Sequence, residues 1–130
     1  MKESFFLVDE SNSGDGIKKV IVIGSTGTIG EAVSLLLLNH GFFVIGMGRK
    51  TSPFDEENKN YIHYILNIQN VELLESTLSN ILKKNEDVFG LVHCAGFGEF
   101  SNIENLAVSK IKEMLDVNLL SVIVTAKVLI

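Results

Sequence analysis

Two kinds of apolar pattern alternate along the chain. Residues 18–23, 42–47, 61–66 and 88–93 are short apolar runs, and the first, built on Val20-Ile21-Val22-Ile23, has no polar alternation. Such runs suit strands of a parallel sheet, which are covered on both faces and leave no side for polar residues. Between them, apolar residues recur at helical spacing. Ile29, Val33, Leu36 and Leu37 predict a helix stopped by Asn39-His40-Gly41. Val71, Leu74, Leu78, Ile81 and Leu82 predict a second, ending at Lys83-Lys84-Asn85, where the helix dipole favours positive charge. Ser109 is placed to cap a last helix over residues 110–130, with Leu115, Leu119, Val122, Ile123 and Ala126 as its apolar stripe. Residues 48–60 read as a polar connection holding the only proline, Pro53, and residues 1–16 as a flexible polar tail. The order β-α-β-loop-β-α-β-α predicts an α/β fold with a parallel sheet of about four strands, helices on both faces and right-handed crossovers.

Composition narrows the class. The 130 residues are 46% hydrophobic and 21% charged, ordinary values for one soluble globular domain. A net charge of −5 argues against nucleic acid, whose phosphates need a basic face. A single cysteine, Cys94, allows no internal disulfide, and a reduced cytoplasmic setting follows as the expectation. Phe5-Phe6-Leu7-Val8 is too short for a signal peptide. The apolar stretch 119–130 contains Lys127 and is too short to span a bilayer, so no membrane partner is expected.

The chemistry begins at Gly24-Ser25-Thr26-Gly27-Thr28-Ile29-Gly30, between the first strand and the first helix. A tight strand-to-helix turn needs backbone angles that side chains forbid, hence Gly24. Close approach of a pyrophosphate to the backbone needs a missing Cβ, hence Gly27, and helix-on-strand packing explains Gly30. The free amides and dipole at the helix start attract phosphate. The alternative is a tight turn with no ligand; strand, turn and helix in this order favour the dinucleotide reading. The architecture is therefore a three-layer, Rossmann-like doubly wound sheet, with residues 17–130 forming a partial NAD(P)-binding domain.

Cofactor choice in such folds is made near the end of the second strand, where an acid bonds the ribose of NAD and a base accommodates the 2′-phosphate of NADP. Here the strand runs into Gly48-Arg49-Lys50, and no Asp or Glu occurs between Glu31 and Asp55. Arg49 offers a planar fork of donors suited to phosphate. NADP(H) is expected over NAD(H). Solvated loop charge is the other reading of Arg49 and Lys50.

At this point the sequence resembles the short-chain dehydrogenase/reductase family. The resemblance rests on the glycine turn, on Arg49, on His93-Cys94-Ala95-Gly96, similar to the family's Asn-Asn-Ala-Gly, and on Val117-Asn118-Leu119, similar to its Val-Asn-Leu. It implies an NADP-dependent oxidoreductase acting on a carbonyl or alcohol. The turn 24–30 would hold the pyrophosphate, Asn67 and Ile68 would flank the adenine, and Cys94, Ala95 and Gly96 would pass the nicotinamide ribose. Asn118 would match the asparagine that assists a proton relay by disturbing its helix. The family's Tyr-x-x-x-Lys pair has no match: Ile65 and Ile68 follow Tyr61 and Tyr64 at that spacing. A substrate pocket and a proton donor would therefore need a longer chain. The alternatives are a non-catalytic NADP-binding module or an inactive truncated product, with the last helix a possible homo-oligomer contact.

The remaining polar residues read plainly. His40 beside Gly41 is expected to cap its helix. His63 has no second ligand nearby, and no metal site is expected. Cys94 reads as a small apolar residue, and Glu72, Glu75, Glu86 and Asp87 as solvated charge.

Overall fold

The computed structural model describes residues 16–130; the expected tail lies, except for Gly16, outside them. The elements are β1 (Lys19–Ile23), α1 (Thr28–Asn39), β2 (Phe43–Gly48), α2 (Phe54–Glu57), β3 (Tyr61–Ile65), α3 (Val71–Lys84), β4 (Val88–His93), α4 (Val108–Leu115) and α5 (Ser121–Leu129). A 3-10 turn, Ile103–Asn105, precedes α4, and a π-helical turn, Asp116–Leu120, joins α4 to α5. The strands pair in parallel in the order β3-β2-β1-β4. The chain leaves β1 towards β2 and β3 and returns to β4 on its other side. That reversal opens a crevice at the carboxyl ends of β1 and β4, the switch point where open α/β sheets take ligands.

The lack of alternation in β1 now has a physical cause. Val20 and Val22 face Val44, Tyr61 and Leu37 of α1. Ile21 and Ile23 face Ile45, Met47 and the α3 residues Leu74, Leu78 and Ile81. Both faces of the strand are core. Asn70 starts α3 by accepting a hydrogen bond from the Leu73 amide at 3.1 Å, and Lys83 and Lys84 lie in its last turn. His40 is the C-cap of α1 as expected, its Nδ1 donating to the Leu36 carbonyl at 2.8 Å.

Several expectations need correction. The sheet-facing side of α1 is Gly30, Ser34 and Leu37, whereas Ile29 and Leu36 are 69% and 44% exposed. Small residues let α1 sit close to the turn beneath it, and the buried Ser34 hydroxyl is satisfied by donating to the Gly30 carbonyl at 2.7 Å. Ser109 lies inside α4; the N-cap is Ala107, without a side-chain bond. The connection over 48–60 contains the short α2. Glu75 and Asp87 lie at the surface as expected and pair there, Glu75 with Lys127 at 2.6 Å and Asp87 with Lys19 at 3.1 Å. The last helix is three segments, and its α5 part turns Ser121 and Thr125 inward. Their hydroxyls donate to the Val117 and Ser121 carbonyls. Leu115, Leu119, Val122 and Ile123 stay exposed. Among the described residues, no helix is long and apolar enough to cross a membrane.

Candidate functional site

The glycine turn closes on β2. The Gly24 and Ser25 amides both donate to the Met47 carbonyl, at 2.8 and 3.0 Å, and the Gly27 amide donates to Gly24 O at 3.1 Å. Gly24 sits at φ +80°, and a Cβ there would lie 2.6 Å from the Ala95 amide nitrogen. A Cβ on Gly30 would overlap the Gly24 carbonyl oxygen. The protein's own backbone thus requires both glycines. Gly27 differs. It is the N-cap of α1 in extended backbone, φ −80° and ψ 168°, and a Cβ would meet only Gly24 O at 3.5 Å, an ordinary contact. Nothing in the fold demands glycine there. The missing side chain instead bares the start of α1, whose first amides have no acceptor within the helix.

That surface is one wall of a cleft of about 220 Å³ over the carboxyl ends of the strands. Gly24, Thr26 and Gly27 form this wall, and Gly48, Arg49 and Lys50 form the rim beyond β2. Arg49 and Lys50 are exposed. Asn67 and Ile68 line the cleft from the loop after β3, and Cys94, Ala95 and Gly96 from the loop after β4. Residues drawn from distant parts of the chain thus share one surface. Ile68 is largely core, packed with Leu66 and Leu74. The Asn67 side-chain oxygen already accepts the Gln69 amide at 3.1 Å, and a carbonyl oxygen has a second lone pair for another donor.

Other expected site residues serve the cleft from outside it. Ser25 is 1% exposed; its amide is used by Met47 O, and its hydroxyl faces Met47 O, Tyr61 and His63. It braces the turn and offers no side-chain donor to a ligand. Thr28 and Ile29 project outward from the first turn of α1, and Gly30 is buried under the turn. Asn118 lies behind the loop after β4. Its Oδ1 accepts the Phe97 amide at 2.9 Å, and its Nδ2 donates to the Phe97 carbonyl at 2.7 Å. It sits in the π-helical turn Asp116–Leu120, the kind of local widening that recurs at functional positions. A Cβ on Gly96 would approach Asn118 Oδ1 at 3.0 Å, so the glycine lets helix and loop close on each other.

Three ionisable residues acquire definite states or partners. The Ser121 hydroxyl donates to Val117 O at 2.6 Å, so its oxygen accepts from His93 Nε2–H at 3.0 Å. Burial lowers the His93 pKa, against a smaller opposing effect of its own backbone, and the ring stays neutral. Burial raises the Cys94 pKa, which keeps it a thiol and a poor nucleophile. His63 stacks on Tyr61 with ring centroids 5.9 Å apart, and its Nε2 donates to the Lys50 carbonyl at 2.7 Å. Reading His63 only as a metal candidate missed this contact. The available signal was spacing: Tyr61 and His63 share a strand face, opposite a β2 in which Gly46 and Gly48 leave room for side chains.

The donor set suits a bulky anion with two negative regions, one at the helix start and one at the Arg49-Lys50 rim. A profile of the short chain dehydrogenase family matches residues 18–130. The chain is 24% identical over 99 residues to a probable short-chain type dehydrogenase/reductase, VdlC, of Helicobacter pylori, covering 75% of this chain and 36% of that one. Among solved structures it is similar to a short chain dehydrogenase from Leptospira borgpetersenii with bound NAD+, at a TM-score of 0.80 and 19% identity, covering 95% of this chain and 48% of that one. ElxO with NADP bound gives a TM-score of 0.76 at 21% identity, covering 88% and 49%. The ligand-free aldohexose dehydrogenase of Thermoplasma acidophilum gives 0.73 at 26%, covering 86% and 42%. The chain spans less than half the length of each of these relatives.

Proposed function

The chain belongs to the short chain dehydrogenase family, and we propose that residues 17–130 bind NADP(H) as the cofactor-holding part of an oxidoreductase for carbonyls or alcohols. The observation that carries the preference is the rim of the cleft. Arg49 and Lys50 stand at the end of β2, where a carboxylate would select the free ribose of NAD. The start of α1 at Gly27 would take the pyrophosphate through backbone amides. Arg49 would hold the 2′-phosphate in bidentate fashion, with Lys50 adding charge. Asn67 and Ile68 would border the adenine, and Ala95 and Gly96 the nicotinamide ribose. Asn118 positions that last segment through its paired bonds to Phe97.

The bound nicotinamide supplies or accepts a hydride. The alkoxide side of that reaction needs a proton donor. No tyrosine is among the cleft-lining residues, and the Tyr61 hydroxyl is committed to Ser25 and His63. These 130 residues therefore bind and orient the cofactor without turning substrate over. A non-catalytic NADP-binding module rests on the same observation. The single thiol suits a reducing cytoplasmic setting, and the exposed Leu119, Val122 and Ile123 favour association with a second chain.

Calorimetric titration with NADPH and NADH tests the preference. A single charge-assisted bond to the 2′-phosphate predicts NADPH binding tighter by about tenfold or more. Equal binding, or tighter NADH, refutes it.

A further inference from the structure

We propose that His63 is a positioning residue for cofactor selectivity, holding the backbone that presents Arg49 and Lys50. The proposal rests on the NADP(H) reading and deepens it. Parallel pairing of β2 with β3 ends at the Leu66 amide donating to the Gly48 carbonyl at 3.0 Å. Two residues further on, the imidazole bonds the Lys50 carbonyl at 2.7 Å. A carbonyl oxygen only accepts, so Nε2 carries the hydrogen. The other ring nitrogen, Nδ1, lies 2.9 Å from the Tyr61 hydroxyl. That hydroxyl also lies 3.1 Å from Ser25 Oγ, inside the glycine turn. Ser25 Oγ in turn reaches Met47 O at 3.3 Å.

The arrangement depends on β2. A Cβ on Gly46 would overlap the Tyr61 hydroxyl, so only glycine leaves space for the Tyr61–Ser25 contact. The imidazole is fixed by the Tyr61 stack, at an interplanar angle of 12°, and by its hydrogen bonds. A rigid ring thus ties the turn that would hold the pyrophosphate to the segment that would hold the 2′-phosphate. Arg49 and Lys50 are long, exposed side chains. Fixing their backbone lowers the ordering cost of gripping a phosphate. NADH carries no 2′-phosphate and gains nothing from that fixation. His63 should therefore act on the ratio of the two affinities.

The test measures NADPH and NADH dissociation constants on the full chain for the parent, His63→Phe and His63→Gln. Phenylalanine keeps the stack on Tyr61 and removes the donor; glutamine restores an N–H near the Nε2 position. Loss of one hydrogen bond predicts that His63→Phe reduces the preference for NADPH by about three- to tenfold. His63→Gln should return it to within about twofold, and NADH affinity should move less than about twofold throughout. An unmoved ratio in His63→Phe, or equal weakening of both cofactors, overturns the proposal. If His63→Phe fails to fold, His63→Asn, whose amide is too short to reach Lys50, replaces it against His63→Gln. A parent without preference for NADPH defeats the NADP(H) reading together with this inference. A parent with the preference and an unmoved ratio in the variant defeats this inference alone.

Discussion

Gly27→Ala and Gly30→Ala should separate a glycine that serves a ligand from one that serves the fold. At Gly27 the added Cβ has ordinary room, 3.5 Å from Gly24 O, and the backbone angles suit any residue. Alanine is a poorer N-cap than glycine by roughly half a kcal/mol. Lower entropy of the unfolded chain returns about 0.4–1 kcal/mol. The two nearly cancel, so folding stability should change by less than about 0.5 kcal/mol. Cofactor binding should not survive intact. The methyl group would stand on the face of the turn where the pyrophosphate meets the α1 amides. Displacing one charge-assisted hydrogen bond costs about 1.5–3 kcal/mol, or roughly 10- to 150-fold in affinity. Gly30→Ala should do the reverse. Its Cβ overlaps the Gly24 carbonyl oxygen and lies 2.9 Å from the Ser25 Cα, all backbone that cannot swing aside. Overpacking of this kind costs about 1–3 kcal/mol, which lowers Tm by roughly 4–12 °C in a domain of this size. Thermal melts paired with NADPH titration on each variant read both quantities. Gly27→Ala binding NADPH within about threefold of the parent, at unchanged Tm, would refute the reasoning: the turn would then be a turn only.

Three further outcomes are expected. Arg49→Asp should reverse the cofactor preference by repelling the 2′-phosphate and bonding the free ribose; tighter NADPH binding in the variant, measured by calorimetry, would count against the rim as the selector. The purified chain should show no NADPH oxidation at 340 nm with aldehydes or ketones, and light scattering should report association through the α5 stripe; turnover by a monodisperse monomer would demand another proton donor. His93, with its pKa held below the ordinary 6.5 by burial, binds a proton less readily folded than unfolded. Stability should therefore be full above about pH 6.5 and fall with acidification, by at most about 1.4 kcal/mol per pH unit from this one group. Denaturant melts of parent and His93→Gln across pH 5–8 should differ in that slope, and parallel curves would place the imidazole outside the linkage.

Much of the fold was legible because it follows from local chemistry. An unalternated run such as Val20-Ile21-Val22-Ile23 can only be covered on both sides, and Gly24 before a helical pattern marks a tight turn. The placement of the basic pair after β2 and of Ala95-Gly96 after β4 was equally readable, and both line the cleft. The departures have a common cause: a side chain's role was read from its type before its neighbours were known. Ile29 and Leu36 look like core and are exposed, because α1 meets the turn through Gly30 and Ser34. Ser109 resembles a cap, yet α4 begins before it.

The sequence by itself determined the four strands, the two long helices α1 and α3, their order, the parallel sheet and the place of the glycine turn, since periodicity, glycine stereochemistry and charge act within a few residues. Only the tertiary structure gave those glycine roles their partners: Ala95 N arrives against Gly24 from the loop after β4, and the turn folds Gly24 O over Gly30 while leaving Gly27 open. It alone brought Asn118 onto the Phe97 backbone across 21 residues, and His63 onto the Lys50 carbonyl across 13. Hydrogen bonds of that range are set by where strands end in space, and a local pattern such as the Tyr61–His63 spacing gives the face of the strand but not the partner.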